Sequence, residues 1–284
     1  MNIARIEDRL VVASEPTGLS IYDFDFDVNF ATAHPATFRD GEPCVLRIGA
    51  IEDYLAEFAA KRTVGLRLIN SPEEHRLASE IEAWYPKLAG ITPRTQVFAE
   101  LPAPEEIEAL FGWPIFLKGS RQTSRHDPAL SIIASPGQYL AAAEAYRSDP
   151  ILRWQKPAVR EFVPLEPVPG QVPGKIRPSL EFRSFWWHGK CVGWGRYWYQ
   201  LGPYSAPDAE AGLAVAGTAA RELAVPFLVV DFAKTIDGRW ILIECNDAQE
   251  SGYAAIQPRA LWRRVLDLLA EGDDAGGRMP PPRS

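Results

Sequence analysis

Residues 227–247 read "FLVVDFAKTIDGRWILIECND", two apolar runs on either side of Asp237-Gly238. An Asp-Gly pair in that setting is a strong hairpin signal, because both residues tolerate the positive φ of a tight turn. With those two as the loop, residues equidistant from it face each other. Asp231, six before Asp237, then lies opposite Glu244, six after Gly238. Side chains alternate along a strand, so Asn246 joins Glu244 on that face while Cys245 points away as a packed core thiol. Directly opposed residues have Cβ atoms about 4.5–5.5 Å apart, where like charges destabilise a sheet. Two carboxylates among Val, Leu and Ile therefore need a counter-charge. A hard divalent cation on Asp231, Glu244 and Asn246 supplies it: Mg²⁺ with phosphate and water completing its shell, or Mn²⁺ in its place. An edge hairpin with solvated carboxylates, or a pair sharing one proton, is the alternative. On the metal reading, removing either acid relieves repulsion, so metal-free Asp231→Ala is expected to be at least as stable as the parent chain.

Outward from this hairpin, "SLEFRSFWWHG" (179–189) and "KCVGWGRYWYQL" (190–201) meet at His188-Gly189 and predict a second antiparallel pair. Arg183 and Arg196 lie five residues before and seven after that turn, so they are near neighbours rather than direct partners. Two guanidiniums in an aromatic setting are expensive unless they meet anions. Stacking on Trp186, Trp187, Trp194 or Trp198 is the alternative. "WPIFLKG" (113–119), "ALSIIA" (129–134) and "PAVREFVPL" (157–165) read as strands. "SPGQYLAAAEAYR" (135–147), a stretch over roughly 206–223 and "RALWRRVLDLLAEG" (259–272) read as helices. Helices segregated onto antiparallel strands make this part α+β.

The first 95 residues have a different grammar. "CVLRIGA" (44–50) and "VGLRLI" (64–69) predict strands; "IEDYLAEFAAK" (51–61) and "SPEEHRLASEIEAW" (71–84) predict helices. Ser71 suits the N-cap and Pro72 the first helical position of the last. Strands alternating with helices define a small α/β unit. The net charge of −7 argues against a general nucleic-acid or anionic-membrane binder. Cys44, Cys191 and Cys245 form no C-x-x-C pair, so neither zinc nor a disulfide framework is indicated. No signal peptide or membrane span is visible, and the expected compartment is the cytoplasm. "GQVPGK" (170–175) has only three residues between its glycines and prolines where a P-loop needs a strand and a helix, so it is not one.

In this order and spacing the residues resemble the ATP-grasp superfamily, in which an Asp on one strand and a Glu-x-Asn on the next hold the magnesium ions of Mg-ATP. The thirteen residues from Asp231 to Glu244 are similar to the spacing in the D-Ala–D-Ala ligase branch. "FLKGS", "EFRSFW", "GRYW" and "ECNDAQESGYA" are similar, more narrowly, to a bacterial and phage ATP-grasp clade marked by two arginines and one lysine. The resemblance spans roughly residues 70–256. It implies an α/β N-terminal domain over 1–95, then an α+β ATP-grasp fold over 96–272 whose lobes, about 96–163 and 164–272, clasp ATP. Residues 273–284 are expected to form a disordered tail.

By the same resemblance Lys118 contacts the α-phosphate. The loop after it lacks the usual glycines and offers Ser120, Arg121, Thr123, Ser124 and Arg125 as phosphate donors, with His126 a solvated histidine. Glu161 would meet the adenine amine, unless it is a surface partner of Arg160. Phe162 and Val163 would supply backbone hydrogen bonds and an apolar wall, and Glu166 would hold the ribose. Arg76 or Lys87 falls where the family places a further lysine. Arg183, Arg196 and Lys118 would act on the reacting groups. The implied reaction is ATP-dependent ligation of a carboxylate to an amine through an acyl phosphate. A kinase or a nucleotide-binding regulatory protein on the same fold is the alternative. The expected partners are a small-molecule or peptide carboxylate and an amine, with no nucleic acid and no membrane; a homodimer is left open.

Overall fold

The computed structural model describes residues 1–49, 51–121 and 127–274, without the side chains of residues 273 and 274. The chain opens with β1 (Asn2–Ile6), β2 (Leu10–Ser14), α1 (Phe26–Asn29), β3 (Thr32–Ala33), β4 (Glu42–Arg47), α2 (Tyr54–Thr63) and β5 (Leu66–Leu68). These strands make one sheet in the order β3-β1-β2-β4-β5, parallel from β2 to β5. The next stretch is broken into α3 (Pro72–Ser79) and α4 (Ile81–Leu88), where a single helix is expected from the sequence. Ser71 and Glu74 form a full capping box, but Glu80 adopts an extended conformation (φ −97°, ψ 124°) and ends α3. The carbonyl of Ser120 then accepts the Ile81 amide, re-satisfying the start of α4.

Two further sheets follow. The smaller lobe comprises β6 (Thr95–Val97), α5 (Pro104–Leu110), β7 (Ile115–Gly119), α6 (Pro128–Ser131), β8 (Ile132–Ile133), α7 (Pro136–Ser148) and β9 (Pro157–Glu161), with its sheet ordered β6-β9-β7-β8. The strand expected over 129–134 is mostly a helical turn, because Asp127 caps the Ala129 amide and Pro128 takes the first helical position. The larger lobe comprises β10 (Glu181–Trp187), β11 (Lys190–Arg196), α8 (Ala209–Leu223), β12 (Phe227–Lys234), β13 (Trp240–Asp247) and α9 (Pro258–Asp274), with its sheet ordered β11-β10-β12-β13. The tail expected to be disordered lies, from residue 275, outside the described residues. No helix among the described residues is long and apolar enough to cross a membrane.

The two faces of the large sheet do different work. One face packs Phe182, Trp186, Val230, Phe232 and Cys245 against α8 and α4. That approach is close: a Cβ added at Gly212 would stand 2.4 Å from the Trp240 ring and 2.7 Å from Phe232. On the other face, Phe185, Trp187, Phe227 and Val229 join α9 and the first sheet in one core. The remaining part of that second face, toward the smaller lobe, carries charged residues and forms the floor of a cleft.

Candidate active site

The floor is a row of charges. β10 presents Glu181 and Arg183, β12 presents Asp231, and β13 presents Glu244 and Asn246. Register sets Arg183 beside Asp231, and Asp231 beside Glu244. The two acids thus face each other as expected, by a different route. The loop of the hairpin runs over 235–239 rather than two residues, with Lys234 paired to Trp240 and Phe232 to Leu242. Ile243 is an extra residue in β13 that shifts the register before Glu244. The longer loop and the bulge cancel. The bulge also lets Ile241 and Ile243 share the cleft face with Glu244, where plain alternation would turn the isoleucines away.

A second bulge corrects the expectation for Arg196. Val192 is unpaired in β11, so Arg183 faces Gly195 and Arg196 faces Phe182. A slip of one residue moves a side chain to the other face of a sheet. Arg196 lies over the Tyr204 ring at 5.6 Å and donates to the Leu201 carbonyl at 3.4 Å, away from Arg183. The two arginines are not brought together; each lies over a tyrosine rather than one of the expected tryptophans, Arg183 over Tyr197 at 5.1 Å and Arg196 over Tyr204. Arg183 faces the cleft.

Asp231 and Glu244 each have their own cation. Arg183 grips Asp231 through Nε (2.8 Å) and Nη2 (2.7 Å) and donates through Nη1 to the Gly252 carbonyl (3.0 Å). Lys118, at the end of β7, reaches across the cleft and donates to Glu244. Burial lowers the Lys118 ammonium from its ordinary range, against the pull of Glu244. Burial works against the Glu244 carboxylate too, but Lys118 and Arg160 hold it below the usual value. Burial pushes the Asp231 carboxyl up against the pull of Arg183, with Glu244 adding to the rise.

Two buried groups complete the floor and roof, and neither was expected from the sequence. Arg160 on β9 is paired with Phe116, two residues from Lys118, so both cations face the cleft. Its Nη1 donates to the Ile243 carbonyl (2.6 Å) and its Nε to Thr95 (2.9 Å), while Nη2 is buried with no partner. Glu181 shares the face of Arg183, and burial, reinforced by Asp231, lifts its carboxyl to about 8. The i, i+2 spacing of Glu181 and Arg183 in "LEFR" was a signal for it.

The cleft holds two connected spaces. An apolar slot of about 350 Å³ lies between the lobes, with Phe116 and Ile132 above, Ile241 and Ile243 below, and Phe162 and Val163 at the hinge. Lys118, Arg160, Glu161 and Glu181 also line it. Glu166 does not: its amide donates to Lys234 and its carbonyl accepts from Leu180. Ser120 is likewise committed through its backbone, to Lys156 and Ile81, and lines neither space. Arg76 and Lys87 are exposed on their helices. Thr123, Ser124, Arg125 and His126 lie outside the described residues. The second space, about 810 Å³, has a mixed polar and apolar wall and is bounded by the first sheet's loops, Arg121, Arg183, Asn246 and Glu250. Glu244 and Tyr197 line both spaces.

Among the described residues no group of three His, Cys, Asp or Glu side chains is arranged to hold a metal unaided. The donors on the floor are two carboxylates and one amide, which suits a hard cation that arrives with phosphate oxygens completing its shell. The fit requires Lys118 to leave Glu244.

Two β lobes clasping an apolar slot, with a lysine above and an Asp/Glu-x-Asn hairpin below, make this an ATP-grasp fold. The match is closer than the fold. A model of the ATP-grasp domain, family 3 of the clade named for two arginines and one lysine, matches residues 52–265, and the chain belongs to that family. No curated protein matches the sequence. Among solved structures, D-alanine–D-alanine ligase from Bacillus anthracis in complex with ATP is similar with a TM-score of 0.56 and 14% identity, covering 83% of this chain and 81% of that one. The RimK domain protein ATP-grasp from Sphaerobacter thermophilus has a TM-score of 0.53 and 18% identity over 82% and 80% of the two chains. D-cycloserine synthetase DcsG has a TM-score of 0.54 and 15% identity over 80% and 84%.

Proposed function

We propose that the chain is an ADP-forming ligase that joins a carboxylate to an amine at the expense of ATP. One observation carries this reading: Glu244 and Tyr197 border both the apolar slot and the larger cavity. A nucleotide in the slot and an acid in the cavity would meet over the row of Lys118, Glu244, Asp231 and Arg183. The names of the D-alanine–D-alanine ligase and D-cycloserine synthetase structures support the same reaction class.

On this reading Phe162 and Val163 hold the base and Glu161 or Glu181 its polar edges. Lys118 exchanges Glu244 for phosphate, and Arg160, which lines the slot with its Nη2 unpartnered, joins it. Asp231, Glu244 and Asn246 would hold Mg²⁺, which screens the phosphate oxygens and polarises the transferred group. The substrate carboxylate attacks the γ-phosphate, ADP leaves, and an amine displaces phosphate from the resulting acyl phosphate. The protein contributes position and fixed charge rather than a covalent intermediate. We place the reaction in the cytoplasm, a setting that suits the unpaired Cys44, Cys191 and Cys245.

The test is a screen of amino acids and dipeptides with Mg-ATP, following ADP and identifying products by mass spectrometry. Phosphate released only with both an acid and an amine present is the expected result. A phosphorylated product would point to a kinase on the same fold. No ATP use in any combination would overturn the reading.

A further inference from the structure

Glu250 sits on the wall of the larger cavity, in the loop that leaves the metal-face strand β13. It differs from the acids of the row. Asp231 is held by two hydrogen bonds from Arg183 and Glu244 by one from Lys118. Glu250 accepts one, from the Ile51 amide at 3.1 Å through Oε1. Arg121 lies 3.6 Å from it and the His75 ring 3.9 Å.

Neither neighbour donates to it, and the reason is geometric. Arg121 Nη2 has two hydrogens; one goes to the Ile51 carbonyl (2.9 Å) and the other to His75 Nε2 (3.1 Å). A guanidinium cannot accept, so His75 Nε2 must hold a lone pair and Nδ1 the hydrogen. That hydrogen points to Asp247 at 3.0 Å. The Asp247–His75–Arg121 chain is therefore closed on itself, and Glu250, which lines the cavity, keeps only an ion-pair contact of 3.6 Å from Oε2 to Arg121.

We propose that Glu250 is the catalytic base that takes a proton from the incoming amine substrate. This rests on the ligase reading. An amine enters neutral solution as an ammonium, which has no lone pair to attack with. Glu250 takes one proton, and the freed pair forms the C–N bond at the acyl carbon. The C–O bond to phosphate then breaks with its electron pair, and the second nitrogen proton leaves with the phosphate. Other titratable groups on the cavity wall suit the task less well. Glu244 is on the metal face, Arg121, Arg183 and Lys175 are cations, and burial drives Tyr197 well above its ordinary value. Burial also brings the Glu250 carboxyl to about 7, with Asp247 adding to the rise and Arg121 opposing it. A general base works best near the pH of the reaction.

Hydroxylamine separates the base from the rest of the machinery, because it is already largely unprotonated at neutral pH. Wild type and Glu250→Gln are run with Mg-ATP, amino acids and dipeptides as carboxylates, and either the same amino acids or hydroxylamine as nucleophile. We expect Glu250→Gln to lower amide formation about a hundredfold and to leave hydroxamate formation near the wild-type rate. Wild-type amide formation should level off above about pH 7, whereas that of the variant should keep rising with the fraction of free amine. Equal loss of both products would show a structural role, and equal retention would show none; either overturns the inference. A wild type that yields no hydroxamate with any of the carboxylates overturns the ligase reading itself.

Discussion

Replacing Asp231 by alanine separates two accounts of the hairpin by the sign of one number. If the two acids mainly repel, the metal-free variant should gain stability. Like charges opposed across strands cost about 0.2–1 kcal/mol. Against that stands Arg183, whose side chain is only 12% exposed and which commits two of its three hydrogen bonds to Asp231. Removing one partner of a buried ion pair costs about 3–5 kcal/mol, because the other charge is left uncompensated. The loss wins by about 2–4 kcal/mol. In a chain of 284 residues each kcal/mol moves the melting temperature by about 2 °C, so Asp231→Ala should melt roughly 4–8 °C below wild type. Calorimetry without nucleotide or metal measures this directly. Arg183→Met should be similarly unstable, and the double variant much less so than the sum, giving a coupling of a few kcal/mol. A melting temperature at or above wild type for Asp231→Ala would refute the ion-pair account and restore the repulsion expected from the sequence.

Arg183→Lys should lower turnover by roughly ten- to a thousandfold, whereas Arg196→Lys should change it little, since Arg196 faces away from the cleft and its contacts are with the Tyr204 ring and the Leu201 carbonyl. Equal effects at both positions in steady-state assays would contradict that separation. Glu181→Gln tests the buried carboxyl through the pH dependence of stability. With the folded value lifted from 4.5 to about 8, the protonated form favours folding, so this contribution is full below pH 4.5 and is lost as pH rises to about 8. Wild type should therefore weaken relative to Glu181→Gln between those limits, by an amount on the order of 4 kcal/mol. Parallel denaturation curves at both ends of the window would show that Glu181 ionises normally.

The sequence made the larger lobe's strands legible because they are long, apolar and bounded by clear turns, whereas the two lobes and the hinge were implied by the family resemblance. It made the acid pair legible for a partly accidental reason: the loop is longer than Asp237-Gly238, and Ile243 restores the lost register. The same kind of irregularity at Val192 was invisible and sent Arg196 to the wrong face. A bulge is one residue of geometry with no residue type of its own, so alternation read from a sequence carries through it unchecked. Arg160 was missed because beside Glu161 it reads as half of a surface pair. Only the register with Phe116 shows it facing the slot. Glu181 was legible in principle, two positions before Arg183, but the eye follows the arginine. The contacts that set Arg121, His75 and Asp247 in one chain join segments about 46 and 172 residues apart, and no local pattern announces them.

The bulge at Ile243 also governs how this hairpin can change length. Residues 235–239 hang beyond the last paired positions, so insertions or deletions there alter a tip and leave the pairing of Asp231 with Glu244 untouched. Between Glu244 and Asn246 no such tolerance exists, because losing Cys245 would turn Asn246 to the core face. Dropping Ile243 would straighten the strand and leave Phe232 opposite Leu242 and Asp231 opposite Glu244, at the loss of one apolar residue from the floor of the slot. The hairpin thus has a free end and a fixed frame. Homologous chains can differ widely in the number of residues separating the two acids and still hold the same pair opposed, provided that every change is confined to the tip or the bulge.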